Sequence, residues 1–284
     1  MEDKIVRVIP HLRASAAWNL ALEEAIFLKA KLDMFKGREV QPVVRLYSFE
    51  RPSVILGYRQ RAEEVDLDFC REFGIDVTMR TTGGGSVLLG EKDLQYSLLL
   101  PLNYSKDLLK LINERIISSL QDVGFSPNLI TKTGHPVIRL DGKAFVFDAQ
   151  RRAYKNGSDL ILHHGTTLVD NSDYENMHQA LKATKQEIED LRDGNVWIGR
   201  QKQFREADLV SAFQKNLPDN ATIRVKDFTA EEIKLARRLY EIFYTNPEEI
   251  KSGKKKFGIC YLPSTPYNMA WYTAKDKDGK AKHC

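Results

Sequence analysis

The sequence predicts an α+β fold, a mixed and mainly antiparallel sheet flanked by helices, on two observations. Helical and strand-like segments interleave along the chain, and neighbouring strand-like segments are joined by short turns rather than by the long crossovers a parallel sheet needs. The first helix is predicted over 18–35, where Trp18, Ala21, Leu22, Ala25, Leu28, Leu32 and Phe35 recur at helical spacing, with Glu23, Glu24 and Lys31 off that stripe. Strands at 43–49 and 53–58 flank the turn material Arg51-Pro52. A short helix over 67–73 stops at Gly74, a residue suited to a C-cap. Strands at 76–81 and 95–100 lie on either side of a glycine-rich turn. Ser105 as N-cap, the apolar repeat Leu108, Leu109, Ile112, Ile116 and Leu120, and Gly124 as terminator predict a helix over 105–123. Strands follow near 137–140, 144–150 and 159–169, and helices near 174–181, 206–215 and 231–243. The β-rich stretch 257–274 reads as a hairpin against the main sheet. Residues 1–245 are expected to form one domain, and 246–284, beyond Asn246-Pro247, a small extension packed on it.

Composition narrows the classes. Hydrophobic residues make up 42% of the 284 and charged residues 29%, enough for a large core and a solvated surface. No apolar run reaches the roughly 18–20 residues of a membrane helix, and Met1 to Arg7 carries no signal-like apolar stretch, so a cytoplasmic protein without membrane contact is expected. The net charge of +4 is mild, and the one basic run, Lys251 with Lys254–Lys256, reads as a solvated loop, so no nucleic-acid partner is expected. Cys70, Cys260 and Cys284 form no CxxC pair and do not cluster with the six histidines, so neither a metal site nor a disulfide framework is expected.

The most informative segment is Arg80-Thr81-Thr82-Gly83-Gly84-Gly85-Ser86-Val87. Each glycine inside a regular element costs about 0.5–1 kcal/mol, so three in a row imply a gain elsewhere. That gain is positive φ and close approach of backbone N–H groups to a ligand. The segment is neither a dinucleotide fingerprint nor a Walker loop, since no Gly-Lys-Ser/Thr follows. By itself a glycine triplet also reads as a plain flexible turn.

Its context resembles the catalytic domain shared by lipoate–protein ligases, octanoyltransferases and, more distantly, biotin–protein ligases. Three blocks carry the likeness. The first runs from Asn19-Leu20-Ala21-Leu22-Glu23-Glu24-Ala25 through Arg45-Leu46-Tyr47 to Pro52–Tyr58. The second is the glycine segment continuing to Asp93-Leu94-Gln95-Tyr96-Ser97. The third is Asp141-Gly142-Lys143, Ala149-Gln150-Arg151-Arg152 and Leu162-His163-His164-Gly165-Thr166-Thr167-Leu168. The resemblance implies a fold like that of class II aminoacyl-tRNA synthetases and biotin ligases. It implies activation of lipoate or octanoate at the α-phosphate of ATP, accompanied by Mg²⁺, and attack of a carrier lysine on the activated carbonyl. The implied carrier is a lipoyl domain of a 2-oxoacid dehydrogenase or of the glycine cleavage system, and an accessory subunit is compatible with the family. Arg80, Thr82, Gly83, Gly84, Gly85 and Ser86 would line the acyl tunnel and adenylate, with Arg80 as a rigid cation. Tyr47, with Arg45, matches a position at the carboxyl end of the tunnel, core packing being the alternative. His164, Gly165 and Thr166 match a strand flanking the ligand; His163 and His164 are neighbours in a strand and point to opposite faces, so at most one faces the site.

The chain departs from the family at one segment. Where relatives carry a pattern resembling Gly-Lys-Lys-Ile-Ala-Gly-Ser-Ala-Gln, this chain has Gly142-Lys143-Ala144-Phe145-Val146-Phe147-Asp148-Ala149-Gln150. The catalytic lysine position falls on Ala144, and Lys143 next to it is the candidate catalytic residue only if the backbone shifts by one. Phe147 and Asp148 replace a small pair, and Leu89 stands where a histidine is often found. Losing one placed cation beside a developing oxyanion costs about 10²–10³ in rate. The octanoyltransferase route uses a cysteine thioester, yet neither 131–136 nor 165–183 contains a cysteine, and Cys70 between Phe69 and Phe73 reads as buried and inert.

The first expectation is therefore a lipoate–protein ligase-like protein, with a catalytically impaired acyl- or carrier-binding module and an octanoyltransferase as alternatives. The His-His-Gly-Thr stretch follows the lipoyl rather than the biotin branch. Ala144→Lys alone is expected to change carrier acylation by less than about tenfold, because the bulk of Phe147 and the charge of Asp148 remain. A larger gain, read as mass added to an apo carrier, overturns this reading of the segment.

Overall fold

A computed structural model describes residues 4–58, 60–101, 106–132, 135–140, 143–144, 146–155, 157–167, 169, 179–187, 189, 206–216, 221–244, 262–263 and 269–270. The first strand, β1 (Lys4–Ala14), is followed by helix α1 (Ala16–Phe35) and strand β2 (Val43–Phe49). A smaller unit follows: β3 (Ser53–Leu56), α2 (Leu67–Glu72), β4 (Asp76–Met79) and β5 (Val87–Leu89). Then come β6 (Leu94–Pro101), α3 (Lys106–Asp122), β7 (Asn128–Lys132), β8 (His135–Leu140), β9 (Lys143–Ala144), β10 (Val146–Lys155) and β11 (Ser158–Thr167). The chain continues with α4 (Glu206–Lys215), β12 (Ala221–Val225) and α5 (Ala230–Leu239), which runs into a π-helical turn, Tyr240–Tyr244. Beyond it, β13 (Leu262–Pro263) and β14 (Met269–Ala270) pair with each other as a separate ribbon.

The main sheet has the order β10-β11-β6-β2-β1-β12. Its β10/β11, β11/β6 and β6/β2 pairs are antiparallel, while β1 runs parallel to both β2 and β12. The α+β class read from the sequence is thus the observed one. No helix among the described residues is long and apolar enough to cross a membrane.

Side-chain alternation sorts the sheet into two faces. On one face Tyr47, Phe49, Leu99, Leu160 and Leu162 meet α1, which is in turn covered by Ala236 and Leu239 of α5. On the other face Leu46, Leu94, Tyr96 and Leu98 meet Ile116 and Leu120 of α3 and Leu209 of α4. α1 begins at Ser15, whose hydroxyl accepts from the Trp18 amide, and ends before Gly37 at φ +68°. Being enclosed by sheet and α5, this helix buries more than the single predicted stripe. Arg7 of β1 ties α5 down through two bonds to Glu232, at 2.8 and 2.7 Å. Burial raises the Glu232 carboxyl, but Arg7 and the Thr229 amide outweigh it and leave the group below its ordinary range.

One strand is added to those expected, and two expectations are corrected. β1 is a full strand, although Pro10 and interspersed charges hide it: the register with β2 shifts between Ile9 and Leu12, and that irregularity accommodates the missing N–H of Pro10. The glycine-rich turn joins β4 to β5, not to β6, and both β4 and β5 pair with β3. The strand expected over 144–150 is divided between β9, which pairs with β8, and β10, which pairs with β11. Most of the helix expected near 174–181 lies outside the described residues, as does Ser105.

His163 is buried against Tyr96, and neither ring nitrogen has a hydrogen-bond partner among the described residues. Burial, and then neighbouring His164, depress its imidazole to about 3. A folded pKa below the unfolded one means stability that is complete above pH 6.5 and drains away as pH falls towards 3. His163→Leu is expected to raise the urea midpoint, and to remove roughly 2 kcal/mol of the stability lost between pH 7 and 5. An unchanged acid limb in the variant would refute this.

Candidate active site

The glycine arc is built around Arg80. β4 ends at Met79, the Arg80 amide donates to Leu56 O (2.9 Å), and the Tyr58 amide donates to Thr82 O (2.9 Å), so the arc starts beside the end of β3. The buried Arg80 guanidinium donates from Nη2 to Gly83 O at 2.7 Å and Gly85 O at 2.8 Å, and from Nη1 to Ile55 O at 3.2 Å. Burial lowers its pKa, with Glu23 opposing. Gly84 takes φ +97°, and a Cβ on it would lie 2.8 Å from the Arg80 Nη2. A Cβ on Gly57 would lie 2.0 Å from Gly84 O, so the arc can rest on β3 only because residue 57 has no side chain. The amides of Gly83, Gly84 and Gly85 have no acceptor among the described residues, and all three glycines are exposed.

Behind the arc, α1 presents two consecutive carboxylates to the sheet. Glu23 accepts from His164 Nδ1 at 2.7 Å and from the Tyr47 hydroxyl at 3.3 Å, while His164 Nε2 lies 2.7 Å from Thr82 Oγ1. Since a carboxylate only accepts, His164 carries hydrogen on Nδ1. Glu24 accepts from Thr81 Oγ1 at 2.9 Å and from Arg151 Nη1 at 2.7 Å. One turn earlier, Asn19 accepts from Arg45, whose guanidinium stacks 4.2 Å from the Tyr47 ring centroid. Burial pulls Arg45 down to about 10, with Tyr47 and Glu23 opposing, and burial with Glu23 pushes the Tyr47 phenol well above its ordinary range.

A cleft of about 520 Å³, open to solvent, lies in front of this network. Its apolar lining is Leu20, Phe49, Ile55, Val87 and Leu89. Its polar lining includes Tyr47, Arg80, Gln95, His164 and Thr166. Thr166 is buried, and its hydroxyl has no partner among the described residues. Ala149 of β10 and Gly165 of β11 complete the wall facing Arg80 and Val87.

The structure therefore brings Tyr47, Arg80, His164, Gly165 and Thr166 to one cleft, with Thr82 one hydrogen bond behind His164. Gly83, Gly84, Gly85 and Ser86 span the stretch of arc between the lining residues Arg80 and Val87; Ser86 accepts from Gln60 Nε2 at 3.3 Å. His163 sits on the opposite face of the sheet. The backbone of 143–144 is described, opposite Leu140 and Arg139 of β8; Asp141, Gly142 and Phe145, and the side chains of Lys143, Ala144, Phe147 and Asp148, lie outside the described residues. Arg80 differs from a simple ligand cation, because its donors hold the arc's carbonyls. Glu23 and Glu24 correct the expected helix stripe: both are buried and central to the network. The signal was present in Asn19 and Glu23, polar residues four apart and so on one side of the helix, set among Leu20, Ala21 and Leu22.

Cys70 is walled into the small unit with Val54, Leu56, Met79 and Leu88, and burial, with Asp66, pushes its thiol up to about 11. It is not among the residues that line the cleft.

The glycine arc joins two of the lining residues, Arg80 and Val87, and the α1 carboxylate pair backs the network; likeness to known proteins supplies the class, lipoyl- and octanoyl-transferring enzymes of protein modification. The chain belongs to the lipoyl protein ligase A/B catalytic domain family, whose sequence profile matches residues 15–198. Along 274 residues it is 28% identical to the octanoyltransferase LipM of Clostridioides difficile (strain 630), covering 85% of this chain and 97% of that one. It is 39% identical over 101 residues to LipM of Carboxydothermus hydrogenoformans, 35% of each chain. A lipoate-protein ligase A solved with ATP bound superposes with a TM-score of 0.69 at 25% identity, over 88% of this chain and 99% of that one. The bi-partite lipoate protein ligase of Thermoplasma acidophilum, solved in a study that includes its E2 lipoyl domain, shares the fold at a TM-score of 0.70 and 23% identity, over 89% of this chain and 97% of that one.

Gly57→Ala is expected to dislodge the arc, lowering the thermal midpoint and accelerating amide exchange across 80–86, whereas Gly83→Ala, with open space at its Cβ, leaves both near wild type. Equal behaviour of the two variants would contradict the close approach of residues 57 and 84.

Proposed function

We infer that the protein activates lipoate or octanoate with ATP and transfers the acyl group to a lysine of a lipoyl carrier domain. The observation that carries this reading is an apolar cleft bounded by the ends of an arc whose three glycine amides lack acceptors among the described residues. One end suits an alkyl chain, the other an anion. Arg80 and Thr166 line the same cleft. In the first step a carboxylate oxygen attacks the α-phosphorus of ATP and pyrophosphate leaves. In the second the lysine amine attacks the acyl carbon, AMP leaves with the bonding electrons, and one proton is given up. Exposed amides beside a cation fit a nucleotide phosphate. Mg²⁺ would arrive with the ATP: among the described residues no group of three or more His, Cys, Asp or Glu side chains is arranged to hold a metal. The ATP-bound ligase of the same fold supports the nucleotide, and the archaeal study that includes a lipoyl domain supports the carrier.

The full-length likeness to LipM favours a second reading, octanoyl transfer from a thioester donor without ATP. Among the described residues Cys70 is the one cysteine, and it is buried and unreactive, so that route would need Cys260 or Cys284. Absence of lysine at Ala144 supports a third, a carrier-binding module without catalysis.

The full chain incubated with ATP, Mg²⁺, octanoate or lipoate and an apo lipoyl domain is expected to add the acyl mass to the carrier. The gain should need ATP and survive replacement of all three cysteines by serine. Acylation from an octanoyl thioester without ATP, lost with one cysteine, would establish transfer instead. Carrier binding with no acylation from either donor would leave only the module.

A further inference from the structure

One stretch of the cleft wall is polar where a plain alkyl chain would be better served by an apolar one. Tyr47 of β2 lies directly opposite Gln95 of β6, and Gln95 lies directly opposite Thr166 of β11. Side chains paired in this way share a face with Cβ atoms about 4.5–5.5 Å apart, and all three line the cleft. Tyr47 gives its hydrogen to Glu23. Gln95 gives one amide hydrogen to Asp93 O at 3.1 Å, which leaves Oε1 and the second N–H without a partner among the described residues. The Thr166 hydroxyl has none either. Gln95 is 3% exposed and Thr166 4%, so bulk water covers little of either. The two are neighbours, one with a hydrogen to give and the other with an oxygen to accept, yet no bond joins them.

We propose that Gln95 and Thr166 form a subsite for a hydroxyl group carried on the chain of the acid, so that the cleft selects a hydroxylated medium-chain carboxylic acid over an unsubstituted one. The inference rests on the acyl reading above and narrows its substrate. A hydroxyl is the group that fits, because one atom both accepts and donates. Its oxygen can take the Thr166 hydrogen, and its own hydrogen can go to Gln95 Oε1. Rotation about the Thr166 Cα–Cβ bond exchanges hydroxyl and methyl, so that hydrogen can be turned to a ligand in the cleft. A carboxylate offers acceptors only and would set its charge against Gln95 Oε1. The arc amides, which have no acceptors among the described residues, suit that end of the acid better. An alkyl chain offers no partner and would displace what water reaches the pair, leaving both groups buried and unpaired. A wall built to bond a substrate hydroxyl therefore rejects the analogue that lacks it, whereas an apolar lining such as Leu20, Phe49 and Leu89 discriminates weakly between the two.

The test is calorimetric titration of the full chain with octanoate and with each of its singly hydroxylated isomers. At least one isomer is expected to bind about tenfold or more tighter than octanoate. In Thr166→Val and in Gln95→Leu that preference should fall below about threefold, while affinity for octanoate stays at or above the wild-type value. Thr166→Val removes a buried hydroxyl that has no partner, so its thermal midpoint should not drop, which shows that the variant is folded. Octanoate binding at least as tightly as every isomer overturns the subsite, as does a preference that survives both substitutions. In either case the acyl reading stands, since octanoate still binds. A chain that binds neither octanoate nor any isomer overturns that reading and the subsite together.

Discussion

Two consecutive carboxylates buried in a helix are the constraint on which the site depends. Glu23 and Glu24 are almost wholly removed from water. An unpaired buried charge is far too costly to keep, so each must be met by donors from elsewhere in the chain. Glu24 draws Thr81 from the arc and Arg151 from β10; Glu23 draws Tyr47 from β2 and His164 from β11, and His164 in turn holds Thr82. The adjacent threonines at the start of the arc are therefore pinned to adjacent residues of α1, one directly and one through an imidazole. Satisfying the helix charges and positioning the arc are the same act.

The arc itself shows how an arginine can build a binding surface without spending its own donors on a ligand. Gly83 and Gly85 turn their carbonyls to Arg80, and the amides of the arc are left without acceptors among the described residues. Glycine is needed for two distinct reasons. At 84 the backbone enters the left-handed region, and at 57 the opposing carbonyl occupies the place of a Cβ. The second reason belongs to a residue some distance away in sequence from the triplet that draws the eye.

The described polar groups of the cleft come from four separate elements, β2, β6, β11 and the arc. The cleft is apolar along Leu20, Phe49, Ile55, Val87 and Leu89, and its polar groups gather at Arg80, Thr166 and the Glu23–His164–Thr82 chain.

Local pattern was enough for most elements: the span of β2 and α4, the core stripe of α1, the ends of α2 and α3 at Gly74 and Gly124, and the opposite facing of His163 and His164 all follow from periodicity and capping chemistry. β1 was not legible, because Pro10 and alternating charges obscure a strand whose partners, β2 and β12, lie far along the chain. Residue order and type were sufficient to determine the α+β class, the membership of the family and the cluster of residues at 80–86. Only the tertiary structure decided that Glu23 and Glu24 face inward, that Arg80 holds the arc, and that His164 stands between a carboxylate and a hydroxyl. The physical reason is that burial and hydrogen-bond pairing are set by segments far apart in the chain, from 24 to 141 residues for the partners of Glu23, and a pattern read along one helix or strand carries no record of what will cover it.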